Sequence, residues 1–284
     1  MSIDATPVRL GRVGVWVGQW GMTAERAAGI ERLGYGAIWI GGSPEADLSV
    51  PQTVLDATER ISVATGIVNI WSADAATVAD SYHRLEAGHP GRFLLGVGAG
   101  HPEATAEYTK PYEALVNYLD VLDERKVPTE RRALAALGPK VLRLAADRAA
   151  GAHPYLVPPA YTATARDTLG NAPLLAVEHK VALGTDHAAT LAVGRPAVDQ
   201  PYLHLSNYRA NLRRLGYTDA DLDNGGTDAL IDALVAQGDA ATAAGKVTAH
   251  LDNGADHVCV HVLPDAGDPL PALAELAGAL GLSR

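Results

Sequence analysis

The chain has 284 residues, 48% of them hydrophobic, enough for one large core and close to the roughly 250 residues of an eight-stranded β/α barrel. Its 33 acidic and 23 basic residues give a formal net charge of -10, and no Lys/Arg cluster forms a nucleic-acid face. A single cysteine, Cys259, excludes an internal disulfide and fits a reducing cytoplasm, where the protein is expected.

Met1 to Gly11 carries no apolar segment behind a basic start, so a signal peptide is not expected. No apolar run reaches the roughly 20 residues that span a membrane. Arg12–Gly18 reads as a first buried strand, and Thr23 caps a helix over Ala24–Leu33 that Gly34 ends. Tyr35–Gly42 is a second strand, followed by a helical stretch around Pro51–Thr58. Ile61–Trp71 is a third, β-branched and nearly continuous, as a strand buried on both faces should be. The helix Asp74–His89, the strand Phe93–Gly98 and the amphipathic helix Pro111–Lys126 follow. Arg132–Leu137 and Gly151–Val157 are the fifth and sixth strands, with the helix Pro139–Ala149 between them carrying Pro at its first position. Leu174–Leu183 is the seventh strand. Pro201–Leu215 and Asp228–Ala236 read as helical, and Asp239 caps Ala240–Leu251. Gly254–Leu263 is the eighth strand and Pro269–Leu280 a closing helix.

Eight strands alternating with helices predict an α/β protein, a closed (β/α)8 TIM barrel forming one domain over residues 1–284. An open doubly wound sheet is the rival. The longest irregular stretches, Gly98–Pro111 and Asp186–Leu203, are expected to carry function.

The fourth strand ends in Gly96-Val97-Gly98-Ala99-Gly100-His101. Glycines there let backbone approach a ligand and expose N–H groups. The third glycine falls one residue early for a dinucleotide fingerprint, and Pro102 and a loop follow instead of a helix. A tight turn without ligand is the alternative. Gly66, inside the third strand, marks a bulge, a ligand contact or mere packing, and Asn69 at its end points to the barrel mouth. Ala136-Leu137-Gly138-Pro139-Lys140 opens a helix whose free N–H groups suit a phosphate, or simply start a helix. His257, Cys259 and His261 share one strand face, a poor tetrahedral set, so no metal site is expected. Trp16 and Trp39 read as core; Trp20 and Trp71, at strand ends, could stack on a flat ligand.

Together ATGIVNI, GRFLLGVGAGH, AALGPKVLRLAADRAAGAHPYLV and GADHVCVHVL resemble the luciferase-like flavin/deazaflavin oxidoreductases, in particular the branch using coenzyme F420. The resemblance covers nearly the whole chain. It implies a bacterial-luciferase-like TIM barrel with a cofactor ring in its mouth, leaning on a third-strand bulge with a non-prolyl cis peptide at Gly66–Ile67. It implies a cofactor-binding set of Gly66, Ile67, Asn69, Gly98, Ala99, Gly100, His101, Ala136, Leu137, Gly138, Pro139, Lys140, His153 and Tyr155. Relatives acting on sugar phosphates carry Asp-His at the end of the second strand, where this chain has Gly41-Gly42-Ser43, and many carry an acid where it has His101. The resemblance therefore points to F420-dependent hydride transfer at the deazaflavin C5 to or from a small organic, non-phosphorylated molecule, in a homodimer. His101 is the expected proton donor or acceptor, because an imidazole titrates near neutrality, with Tyr155 and His153 as further candidates. An FMN-dependent monooxygenase with a partner reductase, a non-catalytic cofactor-binding barrel and a metal-dependent barrel hydrolase are the alternatives.

Overall fold

The computed structural model describes residues 6–104 and 109–282. Its strands are β1 (Val13–Gly18), β2 (Ala37–Gly41), β3 (Ser62–Thr65), β4 (Val68–Asn69), β5 (Phe93–Gly98), β6 (Arg132–Leu134), β7 (Gly151–Ala152), β8 (Leu174–Leu183), β9 (Val235–Gly238) and β10 (His257–Val262). All described pairings are parallel, and β10 closes the ring by pairing with both β1 and β8. β3 and β4 are two halves of one stave and β9 pairs only with the end of β8, so ten strands make an eight-staved barrel with one outlier. The expected (β/α)8 TIM barrel is observed, and the closing pairs of β10 rule out the open sheet.

Helices cover the outside of the ring, so strands such as β2 and β5 are buried at every residue. Inside, Trp16 and Trp39 stand in register on β1 and β2, and Ala64, Leu94, Ala133, Ala176 and Cys259 complete that cluster. Two indoles fill the space because their neighbours are mostly small. Gly41 and Gly42 belong to the same arrangement: a Cβ on Gly41 would stand 1.8 Å from the Trp16 ring, and one on Gly42 2.2 Å from the Trp20 ring.

Helix starts follow the expected chemistry. Thr23 accepts from the Arg26 N–H, Asp74 from the Thr77 N–H and Asp239 from the Thr242 N–H.

The third strand is interrupted at the expected bulge around Gly66, and it ends at Asn69 rather than running on to Trp71. β3 pairs Val63 with Phe93, whereas β4 pairs Val68 with Val97, so one extra residue is inserted against β5. The insertion contains a cis peptide between Gly66 and Ile67. Thr65 bridges the interruption: its hydroxyl donates to the Gly96 carbonyl and accepts from the Gly96 N–H, both at 2.8 Å. Thr65→Val would strand both buried groups. It is expected to destabilise the barrel by about 2 kcal/mol or more, seen as a lower urea midpoint at unchanged m-value.

Other boundaries differ for physical reasons. The fifth and sixth strands end early, at Leu134 and Ala152, because the residues beyond them turn into the barrel mouth. Asp186–Leu203 is not irregular: Asp186 caps a helix over His187–Asp199, which tolerates Gly194 and Pro196 because it packs on the helix Asp228–Leu234 and on β9. The expected helix Asp228–Ala236 stops at Leu234, and Val235–Gly238 is β9. The helix Pro159–Leu169, unanticipated in a Pro- and Thr-rich stretch, forms by burying Tyr161, Thr162, Ala165 and Leu169. The expected loop Gly98–Pro111 lies partly outside the described residues; Gly98 ends β5 and Pro102–Ala104 is one 3-10 turn. No described helix is long and apolar enough to cross a membrane.

Candidate functional site

A cavity of about 480 Å³ opens at the C-terminal ends of the strands. Barrels of this kind keep their chemistry there, because the loops that follow the strands are free to vary without disturbing the core. Of the expected residues, Gly66, Ile67, Asn69, Ala99, Gly100, His101, Ala136, Leu137, Gly138, Lys140, His153 and Tyr155 line it together. Gly98 and Pro139 do not. Gly98 lies beneath the surface, where a Cβ would meet Ala135 at 2.8 Å, and Pro139 begins the helix Pro139–Arg148 between two lining residues.

The floor is the β3–β4 interruption. A Cβ on Gly66 would stand 3.0 Å from the Trp16 indole nitrogen and 3.1 Å from His153 Nε2. His153 is buried, stacked on Trp39 with centroids 4.1 Å apart, and its Nδ1 donates to the Ala176 carbonyl at 2.9 Å. Burial pushes its pKa down to about 4, so the ring is neutral and Nε2 keeps a lone pair that no protein group satisfies.

His101 follows β5 on the opposite rim. Its Nδ1 accepts from the Asn207 amide at 3.2 Å, and its ring lies 5.4 Å from that of Tyr208. Glu103 fixes this arrangement by accepting from the Ser206 N–H at the start of the helix Ser206–Arg214. Burial lowers the His101 pKa, only partly offset by Asn207 and Glu103. The expectation of an ordinary imidazole pKa is thereby corrected: His101 is a neutral ring presenting Nε2–H.

Tyr155 closes the third side. Burial, followed by Tyr202 and Glu178, holds its phenol well above the usual range, so it stays protonated. Lys140 stands at the mouth with its ammonium 3.7 Å above the Tyr112 ring. Gly138 caps the helix Pro139–Arg148 with no side chain to satisfy its first turn. Free N–H groups, the positive end of a helix and a lysine make this rim suited to an anion.

Several lining residues escaped the sequence reading. Trp16, read as core, is both core and wall. Tyr202, Asn207 and Tyr208 come from a segment that only tertiary packing brings over the mouth. Trp20 lines the cavity as anticipated and is 69% exposed, whereas Trp71 donates its indole N–H to the Ala99 carbonyl and does not line it. Glu178 and Lys180 lie behind Tyr155; two charges at a two-residue spacing in an apolar strand were the signal available for them. Among the described residues no group of three or more His, Cys, Asp or Glu is arranged to hold a metal ion. His257 donates to the Gly11 carbonyl and accepts from the Trp39 indole, and Cys259 is buried, so that strand face is satisfied internally.

Comparison with known proteins agrees with the architecture. Residues 10–125, from the start of the barrel through the helix Pro111–Glu124, match the family described as luciferase-like monooxygenase. The closed ring of parallel strands makes this chain a (β/α)8 barrel, and over residues 10–125 it is similar to the luciferase-like family. Among solved structures it is similar to an F420-dependent secondary alcohol dehydrogenase in complex with an F420-acetone adduct, with a TM-score of 0.73 at 14% identity over 96% of this chain and 99% of that one. The coenzyme F420-dependent tetrahydromethanopterin reductase from Methanopyrus kandleri superposes with a TM-score of 0.67 at 16% identity, covering 97% and 99%. The FMN-bound oxygenating constituent of 3,6-diketocamphane monooxygenase from Pseudomonas putida gives 0.61 at 17%, covering 96% and 97%. At these identities the likeness is one of fold. No curated protein matches the chain significantly.

Proposed function

We propose that this barrel is an oxidoreductase that binds coenzyme F420 and transfers a hydride between the deazaflavin C5 and a small organic molecule bearing a hydroxyl or carbonyl group. The observation that carries this reading is the convergence of a lone-pair acceptor, His153 Nε2, and two neutral donors, His101 Nε2–H and Tyr155 O–H, on one largely apolar cavity. Such groups suit a reaction in which a hydride and a proton move together.

The residues fit the cofactor. The interrupted floor at Gly66–Ile67 and the turn Ala99–His101 offer backbone to a flat ring, and the unpartnered His153 nitrogen offers it an acceptor. Gly138 and Lys140 offer the anion rim for its phosphate. When bound, the deazaflavin supplies the hydride acceptor or donor; the chain binds, orients and exchanges the proton. His101 and Tyr155 are the groups placed to do the last.

Titrating the protein with F420 and with FMN tests the reading. F420 is expected to bind at least about tenfold more tightly, a difference of about 1.4 kcal/mol. Tighter FMN binding would favour an FMN-dependent monooxygenase on the same fold, and binding of neither would remove the cofactor from the proposal.

A further inference from the structure

The residues that fit the cofactor come from the β3–β4 interruption and from the ends of β5, β6 and β7. Trp20, Gly42 and Ser43 line the same cavity from the ends of β1 and β2, and the cofactor leaves them unassigned. The ring of staves sets how far apart the two groups stand. From β1 through β2, the β3–β4 stave and β5, the fourth step reaches β6; the other way, through β10, β8 and β7, the fourth step reaches β6 too. The ends of β1 and β6 are therefore diametrically opposed, and Trp20 stands across the mouth from the anion rim of Gly138 and Lys140. A cofactor phosphate at β6, with its ring over the floor, leaves the β1–β2 side to the other reactant.

Trp20 is 69% exposed, the one large apolar side chain left so open among the described residues. An exposed apolar residue says little alone. This one is held in place. Gln19, beside it in the 3-10 turn Gln19–Gly21, donates its amide to the Gly42 carbonyl at 2.7 Å and to the Ser43 carbonyl at 3.3 Å, which ties the turn to the end of β2. Backbone makes way for the ring at both strand ends. A Cβ on Gly18 would stand 2.5 Å from Trp20 Cε2 and Cζ2, and one on Gly42 2.2 Å from Cζ3. Gly18 has φ -62 and ψ 142, which any residue adopts, so what glycine supplies there is room for the indole. The result is an indole seated between two strand ends with its remaining surface open at the cavity.

The chemistry of this sector names its guest. Trp16, Trp20, Gly42 and Ser43 bring no charge to it. The one ammonium of the lining, Lys140, is on the far side, and among the described residues no carboxylate lines the cavity to draw an amine. Indoles take flat rings by offset stacking and edge contacts. We propose that Trp20 selects the substrate: its sector takes the uncharged aromatic ring of an aryl-substituted alcohol or ketone and leaves the oxygen end to the donors already described. This rests on the oxidoreductase reading above.

Binding is read with the deazaflavin oxidised, when a ketone cannot react with it. Acetophenone and its saturated counterpart, cyclohexyl methyl ketone, are titrated into the F420-loaded protein by calorimetry, and the indole signals of labelled tryptophan are followed by NMR. Acetophenone is expected to bind about fivefold more tightly than the saturated ketone and to move the Trp20 signal, identified by its loss in Trp20→Phe. Trp20→Ala should bring the two ketones within about twofold of each other by weakening acetophenone, whereas Trp20→Phe should keep most of the preference. Neither variant should change F420 affinity by more than about twofold. A wild type that binds F420 yet treats the two ketones alike, or a Trp20→Ala variant that keeps the preference, overturns the assignment and leaves the cofactor reading intact. Tighter binding of 1-phenylethylammonium than of acetophenone also overturns it, by making the sector a site for cations. Loss of F420 affinity in Trp20→Ala overturns it by placing the indole on the cofactor. A wild type that does not bind F420 fails the reading itself, and the assignment with it.

Discussion

Replacing Gly138 with aspartate is expected to weaken a phosphate-bearing cofactor by about a hundredfold while leaving the barrel as stable as before or slightly more so. The two effects have one cause. Gly138 has φ -93 and ψ 155, the extended conformation of an N-cap, and no side-chain hydrogen bond. An aspartate there adopts the same backbone and accepts from the first-turn N–H groups, a gain of a few tenths of a kcal/mol over glycine. Its Cβ has room, since the nearest atom is an Arg214 guanidinium nitrogen at 3.8 Å. That carboxylate would occupy the anion's place, draw on Arg214, and repel a phosphate about 5 Å away by about 3 kcal/mol at an effective dielectric near 20. Gly138→Ala, which adds bulk without charge, should bind cofactor within about threefold of wild type. Fluorescence titration and thermal unfolding of the three proteins read both effects. Unchanged affinity in Gly138→Asp would show that the anion does not sit on this helix.

Acid is expected to unfold the protein well above the pH at which carboxylates titrate. Burial holds His153, His179 and His257 down to about 4, and burial followed by His179 holds His250 well below its ordinary value. In the unfolded chain each titrates near 6.5. A depressed histidine binds its proton only on unfolding, so its contribution is complete above about 6.5 and is lost as pH falls toward about 4. Each of the first three then costs up to about 1.4 kcal/mol per pH unit, so by pH 5 about 6 kcal/mol is gone, comparable to the whole stability of many domains. Urea unfolding measured from pH 7 to pH 5 should show a steep, monotonic loss. A flat profile over that interval would mean that these rings open to solvent or pair when protonated.

How far the chain could be read depended on what each element rests on. The strands Val13–Gly18 and Phe93–Gly98 are legible because they are buried on both faces and stay apolar throughout. Thr23 and Asp239 are legible because an N-cap is local chemistry. The helix His187–Asp199 is not, because Gly194 and Pro196 imitate breakers and only packing against Ile231 and Val235 overrides them. The same division runs through the candidate site. The glycine turns and the residues that follow β6 and β7 announce themselves by composition and position. Asn207, Tyr202 and Tyr208 do not, since nothing local says that their segment folds back over the mouth. His261 was seen as one of a histidine pair and weighed as a metal ligand; its partner Asp265 lies beyond the strand, and its partners Lys180 and Glu178 lie on another.

Trp16 and Trp20 occupy the volume that side chains at positions 41 and 42 would need. The consequence is one of mutational history. A chain that gained a side chain at Gly41 first would drive it into an indole. A chain that trimmed Trp16 first would leave a void beside His261 and the floor glycine. Each step alone is destabilising and only their combination is tolerable, which is strong coupling between neighbours. Passage between this mouth and one with a working side chain at the end of β2 therefore demands a paired change. The end of β2 is walled off from single substitutions by a steric interlock.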